Sequence, residues 1–324
     1  MPLRDIARLA GVSTATVSRV LNGSADVAPR TRDAVLAAAG RQGFAPQRRT
    51  GLVAVTVPFV EGSYFAAMLG GIADAVDDAG MRLLLLPTRS DRPHVPLRER
   101  LRSDTADGAV LMLPPESLEE LFELQRTMPI AVIDPRVPLD EGIACVAAAN
   151  AAGADAATEH LLALGHRTIA AITGPVGWAA TEERRQGYHA ALARAGIRPD
   201  SSLVEAGDWE IASGRAAASL LLDREAGATA IFAFNDEMAI GAMQVAHERG
   251  LRVPGDLSII GFDGVERGEL LVPQLTTVRQ PLAEMGRTAV TLLLRMIERR
   301  RIEALRVELA TRLVERRSTG PIRR

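Results

Sequence analysis

Residues 5–22 read DIARLAGVSTATVSRVLN, and their pattern predicts the fold of the amino-terminal segment. Apolar side chains recur at helical spacing before Gly11, which predicts a first short helix, and again from Val12 to Leu21, which predicts a second. Ser13 is a typical N-cap residue for this second helix. Two short helices joined by a turn that contains glycine indicate a helix-turn-helix.

A third helix is predicted from Pro29 to Ala39, because proline favours the first turn of a helix and Gly40 is a typical residue after the last turn. The first 50 residues carry eight arginines against three aspartates, a balance of +5, whereas the whole chain carries −2. This distribution is expected when only the first segment contacts polyphosphate, although a chance cluster on a solvated face gives the same balance.

The second helix has short polar side chains on its outward face. Hydroxyl and methyl groups allow a helix to approach base edges, where threonine and alanine contact a thymine methyl and arginine bridges guanine O6 and N7. Hydroxyls and an Asn amide hold phosphates. Taken singly, each of these residues could equally be a helix cap or an ordinary surface residue. The outward set is Ser13, Thr14, Ala15, Thr16, Ser18, Arg19 and Asn22.

Over residues 5–22 the chain resembles the head of the lactose/galactose repressor (LacI/GalR) family of transcription regulators. The resemblance implies that Thr14, Ala15 and Arg19 read bases. It implies DNA-backbone contacts from Ser13, Thr16, Ser18, Asn22 and Thr31. We therefore expect double-stranded operator DNA as a partner. We also expect a homodimer, because one three-helix head makes too few contacts for tight specific binding.

From Leu52 onward, buried-type strands alternate with helices, which predicts an α/β body with parallel sheets and crossover helices. Two similar sets of strands predict two lobes with a cleft between them. The predicted strands cover residues 52–57, 82–86, 109–113, 130–133, 169–173, 203–205, 231–234 and 258–261. The predicted helices cover residues 65–79, 97–104, 117–127, 150–164, 182–195, 212–223 and 236–249.

Polar and aromatic side chains follow several of these strands, where ligands bind in parallel sheets. Carboxylates, amides and guanidinium groups offer paired donors and acceptors for ring hydroxyls, and an aromatic ring offers a stacking face for a sugar. Singly, Asn235 could be only a helix cap and Asp263 only a turn residue. The candidate side chains are Asp134, Arg184, Trp209, Asn235 and Asp263.

The family resemblance extends through HLLALGHRTIA at 160–170, FNDEMAIGA at 234–242, SIIGFD at 258–263 and LTTV at 275–278. It implies a two-lobed body of the periplasmic-binding-protein type. It also implies a small-molecule effector, a sugar or sugar derivative, bound between the lobes.

By this resemblance, Arg184, Asn235 and Asp263 hold the effector. The implied pocket walls are Tyr64, Phe65, Asp134 and Trp209. Two stretches depart from the family pattern, because Gly62-Ser63 replaces an Asn-Pro pair and Ala149 replaces an Asp.

We expect a helix-turn-helix DNA-binding domain at 1–50 and an effector-binding and dimerisation domain at 51–324. Lobe 1 is predicted at about 52–149 plus 277–300, and lobe 2 at about 150–276 plus 301–324, with the dimer contact on lobe 1 helices such as 65–79. The linker at 44–51 is about a dozen residues shorter than in the family and lacks an apolar pair that could wedge the minor groove, so we expect altered DNA bending and altered coupling between effector and DNA.

The composition excludes several classes of protein. Cys145 is the only cysteine, so neither an intrachain disulfide nor a thiolate metal site can form within one chain. The five histidines lack metal-ligand spacing, and no phosphate-binding glycine loop or nucleophile elbow occurs, so we expect no metal, no cofactor and no enzyme. No apolar run could span a membrane and no export signal is visible, so we expect a cytoplasmic protein without a membrane partner. The leading alternative is a carbohydrate-binding receptor with the same two-lobed fold.

Overall fold

The computed structural model describes residues 3–21, 26–41, 50–58, 62–88, 95–102, 104–139, 141–224 and 227–322. Contacts between residues divide the chain into two units, Met1–Thr50 and Gly51–Arg324. The first unit holds the helix-turn-helix head and the second holds the α/β body.

The head contains the helices α1 (Leu3–Ala10), α2 (Thr14–Leu21) and α3 (Pro29–Arg41). Apolar side chains from all three pack in one small core, in which Val17 of α2 and Val35 of α3 are fully buried. Gly11 has a φ of 65°, a left-handed conformation that favours glycine and allows the tight turn between α1 and α2. The predicted helix-turn-helix is therefore confirmed, with α3 ending at Arg41 instead of Ala39.

The described strands of the body follow the chain from β1 to β12. They are β1 (Leu52–Val57), β2 (Arg82–Pro87), β3 (Gly108–Met112), β4 (Ile130–Ile133), β5 (Ala144–Ala148), β6 (Ile169–Thr173), β7 (Val204–Ala206), β8 (Ala230–Ala233), β9 (Ser258–Asp263), β10 (Thr276–Arg279), β11 (Arg306–Leu309) and β12 (Arg312–Val314).

The described helices of the body lie between these strands. They are α4 (Ser63–Asp78), α5 (Leu97–Arg100), α6 (Leu118–Gln125), α7 (Asn150–Ala163), α8 (Ala179–Arg194), α9 (Ile211–Asp223), α10 (Asp236–Glu248) and α11 (Leu282–Ile297).

Two sheets form the two lobes. The lobe 1 sheet has the order β11-β5-β4-β3-β1-β2, and its neighbouring strands pair in parallel. The lobe 2 sheet has the order β12-β10-β9-β8-β6-β7 and is parallel except for the pairing of β12 with β10. Strands β3, β4, β6, β8 and β9 are fully buried, as expected for parallel sheets that helices cover on both faces. The predicted fold class is confirmed.

The chain crosses between the lobes at β5–α7, at β10–α11 and at β11–β12. The boundaries predicted at residues 277 and 301 were wrong for a physical reason. Strand β10 hydrogen-bonds with β9 of lobe 2, and β11 hydrogen-bonds with β5 of lobe 1. Lobe 1 therefore takes Leu282–Leu309 from the carboxyl-terminal part of the chain, and the chain returns to lobe 2 at Arg312.

Helices α4 and α11 pack at very close range on the lobe 1 sheet. A Cβ atom on Gly71 of α4 would lie 1.9 Å from the Ala283 carbonyl oxygen, and one on Gly286 of α11 would lie 2.4 Å from the Met68 carbonyl oxygen. Only glycine allows the two backbones to approach in this way. This face of α4 is therefore covered by α11, and the opposite face, which includes Ala66 and Gly70, is exposed.

Several elements differ from those predicted. The helix predicted at 97–104 ends at Arg100, because Leu101 adopts an extended conformation. Strands β5, β10, β11 and β12 and helix α11 were not predicted. No described helix is long and apolar enough to cross a membrane. The described residues also contain no cluster of three or more His, Cys, Asp or Glu side chains that could hold a metal ion.

Candidate functional site

The amino terminus of α2 is fixed by a side-chain cap. The Ser13 hydroxyl accepts a hydrogen bond from the Thr16 amide at 3.1 Å, and the two hydroxyl oxygens lie 2.9 Å apart. The predicted N-cap is therefore present, and it satisfies an amide that the helix itself leaves without a partner. The contact between the two hydroxyl groups also places the Thr16 hydroxyl toward the amino terminus of α2.

The two faces of α2 differ sharply. Val17 and Val20 are buried in the core of the head. Thr14, Ala15 and Arg19, the predicted base-reading residues, are exposed. The predicted backbone-contacting residue Ser13 is exposed, whereas Thr16, Ser18 and Thr31 are half-buried. Asn22 lies outside the described residues, as does most of the linker on which the altered bending was predicted.

The predicted effector residues of the body lie where parallel strands end. Tyr64 and Phe65 lie in the first turn of α4, which follows β1, and Asp134 follows β4 directly. In lobe 2, Asp263 is the last residue of β9 and Asn235 is the N-cap of α10. Because the strands of each sheet run in parallel, these ends lie on one edge of their sheet, which is where ligands bind in this kind of fold.

Arg184 is the central cation of the lobe 2 site and is only 4% exposed. Its Nε donates to Asn150 Oδ1 at 2.9 Å, and its Nη1 lies 3.4 Å from Asp263 Oδ1 and donates to the Phe234 carbonyl oxygen. Its guanidinium carbon lies 3.8 Å from the centroid of the Phe262 ring. These contacts hold the guanidinium over the Phe262 ring and fix its orientation.

Asp263 is buried beside this guanidinium. Gln280 Nε2 donates to its Oδ1 at 2.7 Å. Burial raises the pKa of Asp263 to about 7, while Arg184 and the Gln280 hydrogen bond act in the opposite direction. Its φ of 108° is rare for a residue with a side chain, and such backbone strain concentrates at sites where function requires one geometry.

Asn235 links two elements of the site. Its Oδ1 accepts from the Met238 amide at 2.9 Å, which caps α10, and its Nδ2 donates to the Trp209 carbonyl oxygen at 2.8 Å. Asn235 therefore caps α10, which was the alternative role predicted for it from the sequence. The second bond shows that Asn235 also positions the segment that carries Trp209.

Trp209 lies beside Arg184, whose guanidinium carbon is 5.5 Å from the indole centroid. Its φ is 77°, again a left-handed conformation. A Cβ atom on Gly174 would lie 2.1 Å from the indole, so only glycine leaves room for the ring. The indole Nε1 is buried and has no hydrogen-bond partner. An aromatic face with an unsatisfied donor is suited to a ligand that has both apolar faces and hydroxyl acceptors.

Tyr64 and Asp134 form a pair in lobe 1, in which the Tyr64 hydroxyl donates to Asp134 Oδ2. Burial raises the pKa of Tyr64 well above its usual value, and the negative charges of Asp134 and Asp263 raise it further. Desolvation also raises the pKa of Asp134, against the effects of Tyr64 and Arg184. Tyr64 and Asp134 of lobe 1 thus interact electrostatically with Asp263 and Arg184 of lobe 2, so these side chains face one cleft between the lobes. The Phe65 ring stands edge-on to Tyr64, with ring centroids 5.2 Å apart.

Asn150 and Gln280 belong to the candidate site but were not predicted from the sequence. Asn150 bridges Arg184 and Glu183, since its Nδ2 donates to Glu183 Oε2 at 2.9 Å. Gln280 follows β10 and supports Asp263. Besides Trp209 Nε1, buried side-chain oxygens of Thr181 and Gln280 lack a hydrogen-bond partner. Gln280 follows a strand, like the other polar candidates, but residues 275–278 were recognised only as a family motif and not predicted as a strand.

Family models match both units of the chain. Residues 2–47 match the model described as bacterial regulatory proteins, lacI family, and residues 158–319 match the model described as periplasmic binding protein-like domain. The "Ribose operon repressor" of Halalkalibacterium halodurans is 33% identical over 332 residues, which cover 98% of this chain and 96% of that protein. The chain belongs to the LacI family of bacterial regulatory proteins.

Solved structures agree with this membership in the LacI family. The complex "transcriptional regulator CelR-cellobiose" is similar with a TM-score of 0.78 and 36% identity, covering 98% of this chain and 99% of that one. The lac repressor dimer bound to operator and an anti-inducer is similar with a TM-score of 0.74 and 28% identity, covering 99% of each chain. The LacI-family resemblance predicted from residues 5–22 is confirmed.

Proposed function

We propose that this LacI-family protein is a sequence-specific DNA-binding transcriptional repressor whose operator affinity is controlled by a sugar-like effector bound between the lobes. The observation that carries the proposal is the group formed by Arg184, Asp263 and Asn235 at strand ends, beside the unsatisfied indole of Trp209. The exposed polar face of α2 supports the DNA-binding part. Such a protein acts in the cytoplasm and binds its effector without converting it.

The charges around the cleft favour an uncharged or cationic ring over a phosphorylated one. The negative charge of Asp134 raises the pKa of Asp263 and of Glu183, and burial raises the pKa of all three carboxyl groups. Arg184 is the cation among them, and it is already engaged by Asn150, Asp263 and the Phe234 carbonyl. A phosphate would meet carboxylates and no free guanidinium in this group, whereas ring hydroxyls can donate to those carboxylates.

The experiment is a thermal-shift screen on the full-length protein. Cellobiose, D-ribose and D-ribose 5-phosphate are the first arms, since two similar proteins are named for cellobiose and ribose. A sugar that binds the native state raises the melting temperature with concentration. We expect neutral sugars to stabilise the protein and the phosphate ester to have a smaller effect. A phosphorylated sugar as the strongest stabiliser would contradict the effector class.

Sugar binding without DNA binding would favour the carbohydrate receptor instead. A second experiment distinguishes the two functions. The protein first selects a duplex from a random pool, and its affinity for that duplex is then measured with and without the stabilising sugar. A regulator changes its affinity for that duplex when the stabilising sugar is added, because effector and DNA are thermodynamically linked. A receptor shows sugar binding and no selected duplex.

We further propose a homodimer, which brings two heads to a palindromic operator. The exposed face of α4, with Ala66 and Gly70, is one candidate contact. In lobe 2, Val272 is 98% and Leu270 is 76% exposed, beside a groove of about 550 Å³ between α10 and the segment at residues 271–273. Large exposed apolar side chains beside such a groove are typical of protein interfaces. Val272→Asp should shift the sedimenting species from dimer toward monomer.

The shortened linker is proposed to reduce the bending of operator DNA. Without an apolar pair to wedge the minor groove, the protein should bend its operator less than a relative with a full linker. Circular-permutation gel shifts on the selected duplex measure this bend. An operator bend equal to that produced by the lac repressor would contradict the proposal.

A further inference from the structure

The two lobes also meet at Arg136 and Trp178, outside the predicted effector residues. Arg136 lies two residues after Asp134 in lobe 1, and Trp178 immediately precedes α8 in lobe 2. The Arg136 guanidinium carbon lies 4.7 Å from the centroid of the Trp178 ring, and the Ala179 amide donates to the Arg136 carbonyl oxygen at 2.7 Å. We propose that Arg136 and Trp178 form an interlobe clasp that closes lobe 1 on lobe 2 and positions Trp209 for the effector.

Arg136 is anchored firmly on the lobe 1 side. Its Nε donates to the Leu113 carbonyl oxygen at 3.1 Å, at the end of β3. Leu113 and Asp134 both have positive φ values, 44° and 46°. Strained backbone at the ends of two neighbouring strands persists only where surrounding contacts fix it, and the Arg136 side chain makes such a contact at Leu113. The guanidinium is therefore presented to lobe 2 by a rigid support.

Trp178 is in a position that helix stability does not explain. It is the N-cap residue of α8 and makes no side-chain cap hydrogen bond. Serine, threonine, aspartate and asparagine are strongly preferred there, because their side chains satisfy free amides of the first turn. Helix α8, which carries Arg184, thus begins with an indole in place of a cap. The indole instead covers the guanidinium from the other lobe.

The clasp contacts the proposed effector site at Trp209. The ring centroids of Trp178 and Trp209 lie 6.0 Å apart with an interplanar angle of 50°. Gly174 bounds Trp209 at its six-membered ring and Arg184 lies near its face, and Trp178 forms a further side of the surroundings of this indole. When the clasp opens, Trp209 loses one wall. Arg136 and Trp178 are therefore positioning residues, and they determine effector affinity without being predicted to contact the effector.

A ligand-free experiment tests the clasp directly. The chain contains only two tryptophans, so Trp209→Phe leaves Trp178 as the single tryptophan reporter, excited selectively at the red edge of the indole band. In this background Arg136→Ala should raise the acrylamide quenching constant of Trp178 about twofold and accelerate hydrogen exchange at Ala179 about fivefold, the size expected for loss of one cation–π contact. Arg136→Lys should restore part of the protection. Val137→Ala, at an exposed neighbour, is the control. Unchanged quenching and exchange in Arg136→Ala would overturn the clasp.

The positioning role rests on the proposed function and has its own readout. With Trp209 intact, Arg136→Ala and Trp178→Ala should each raise the Kd for cellobiose or D-ribose, whichever the wild type binds, about fivefold, with melting temperatures of the free proteins within about 2 °C of wild type. Trp178→Phe should recover most of the affinity. Unchanged affinity in Arg136→Ala would contradict positioning. If neither sugar binds the wild type, the proposed effector class fails, and the ligand-free experiment alone decides the clasp.

Discussion

Arg184 and Asp263 meet inside lobe 2 with Nη1 and Oδ1 3.4 Å apart and with only 4% and 9% of their side-chain surfaces exposed. Desolvation offsets much of the attraction between two buried charges, so the intact pair contributes modestly to stability. Loss of one partner is different, because it leaves the other charge buried without compensation. We therefore expect the pair to link the proposed effector recognition with the stability of the lobe.

Arg184→Met should destabilise the body and abolish stabilisation by any sugar. Asn150, Asp263 and the Phe234 carbonyl would each lose a donor, and removal of one partner from a buried pair costs about 3 kcal/mol of unfolding free energy. Urea unfolding measures this loss. The matched control is Arg185→Met, because Arg185 pairs with Glu182 on the surface and its loss should change stability by less than about 0.5 kcal/mol. Equal effects of the two substitutions would refute the assigned role of Arg184.

Asp263 should make the protein less stable as the pH rises toward neutrality. Its folded pKa of about 7 exceeds the usual 3.8, so the native state binds the proton more tightly than the unfolded state. Below about pH 4 both states are protonated and the group has no effect, whereas ionisation through pH 7 costs up to about 4 kcal/mol. Compared with Asp263→Asn, wild type should therefore lose unfolding free energy between pH 4 and pH 8. Parallel stability curves for the two proteins would contradict this account.

Gly174→Ala should displace the Trp209 indole. The added Cβ would lie 2.1 Å from the ring and 2.6 Å from Thr181 Oγ1, and overpacking of this kind costs about 1–3 kcal/mol. Tryptophan fluorescence and near-ultraviolet circular dichroism should change, and sugar binding should weaken. Gly70→Ala is the control for the tryptophan spectra, since a Cβ there meets nothing within 4 Å in its own chain, and these spectra should stay as in the wild type. Unaltered tryptophan spectra in Gly174→Ala would show that the ring does not occupy this position.

The sequence predicted the fold wherever periodicity is strong and local. The three head helices and strands such as β1, β4 and β6 were placed from unbroken apolar patterns. Strand β11 was missed because it is an edge strand, with the alternating exposure and charged residues typical of that position. Lobe boundaries near residues 277 and 301 depend on which strands pair, and pairing over long sequence distances leaves no local signal.

The site was predictable where a residue follows a recognisable strand. Asp134, Asn235 and Asp263 carried that signal, Arg184 was singled out near the start of a predicted helix, and the family resemblance added Tyr64 and Phe65. Trp178 gave no signal, because a tryptophan before a helix fits neither a cap nor a strand end. Its relation to Arg136 arises only when the lobes fold against each other. Contacts between lobes were therefore the part of the site that sequence patterns could not supply.

Selection from a pool of random duplexes by the full-length protein shows whether α2 reads base edges. We expect an enriched inverted repeat. Arg19→Ala should bind it more weakly by about 1–3 kcal/mol and lose the preference at one base pair of each half-site, whereas Arg8→Ala, which alters an exposed residue of α1, should keep the preference. Folded wild-type protein that enriches no motif, or an Arg19→Ala protein that retains the full wild-type preference, would contradict base reading by α2.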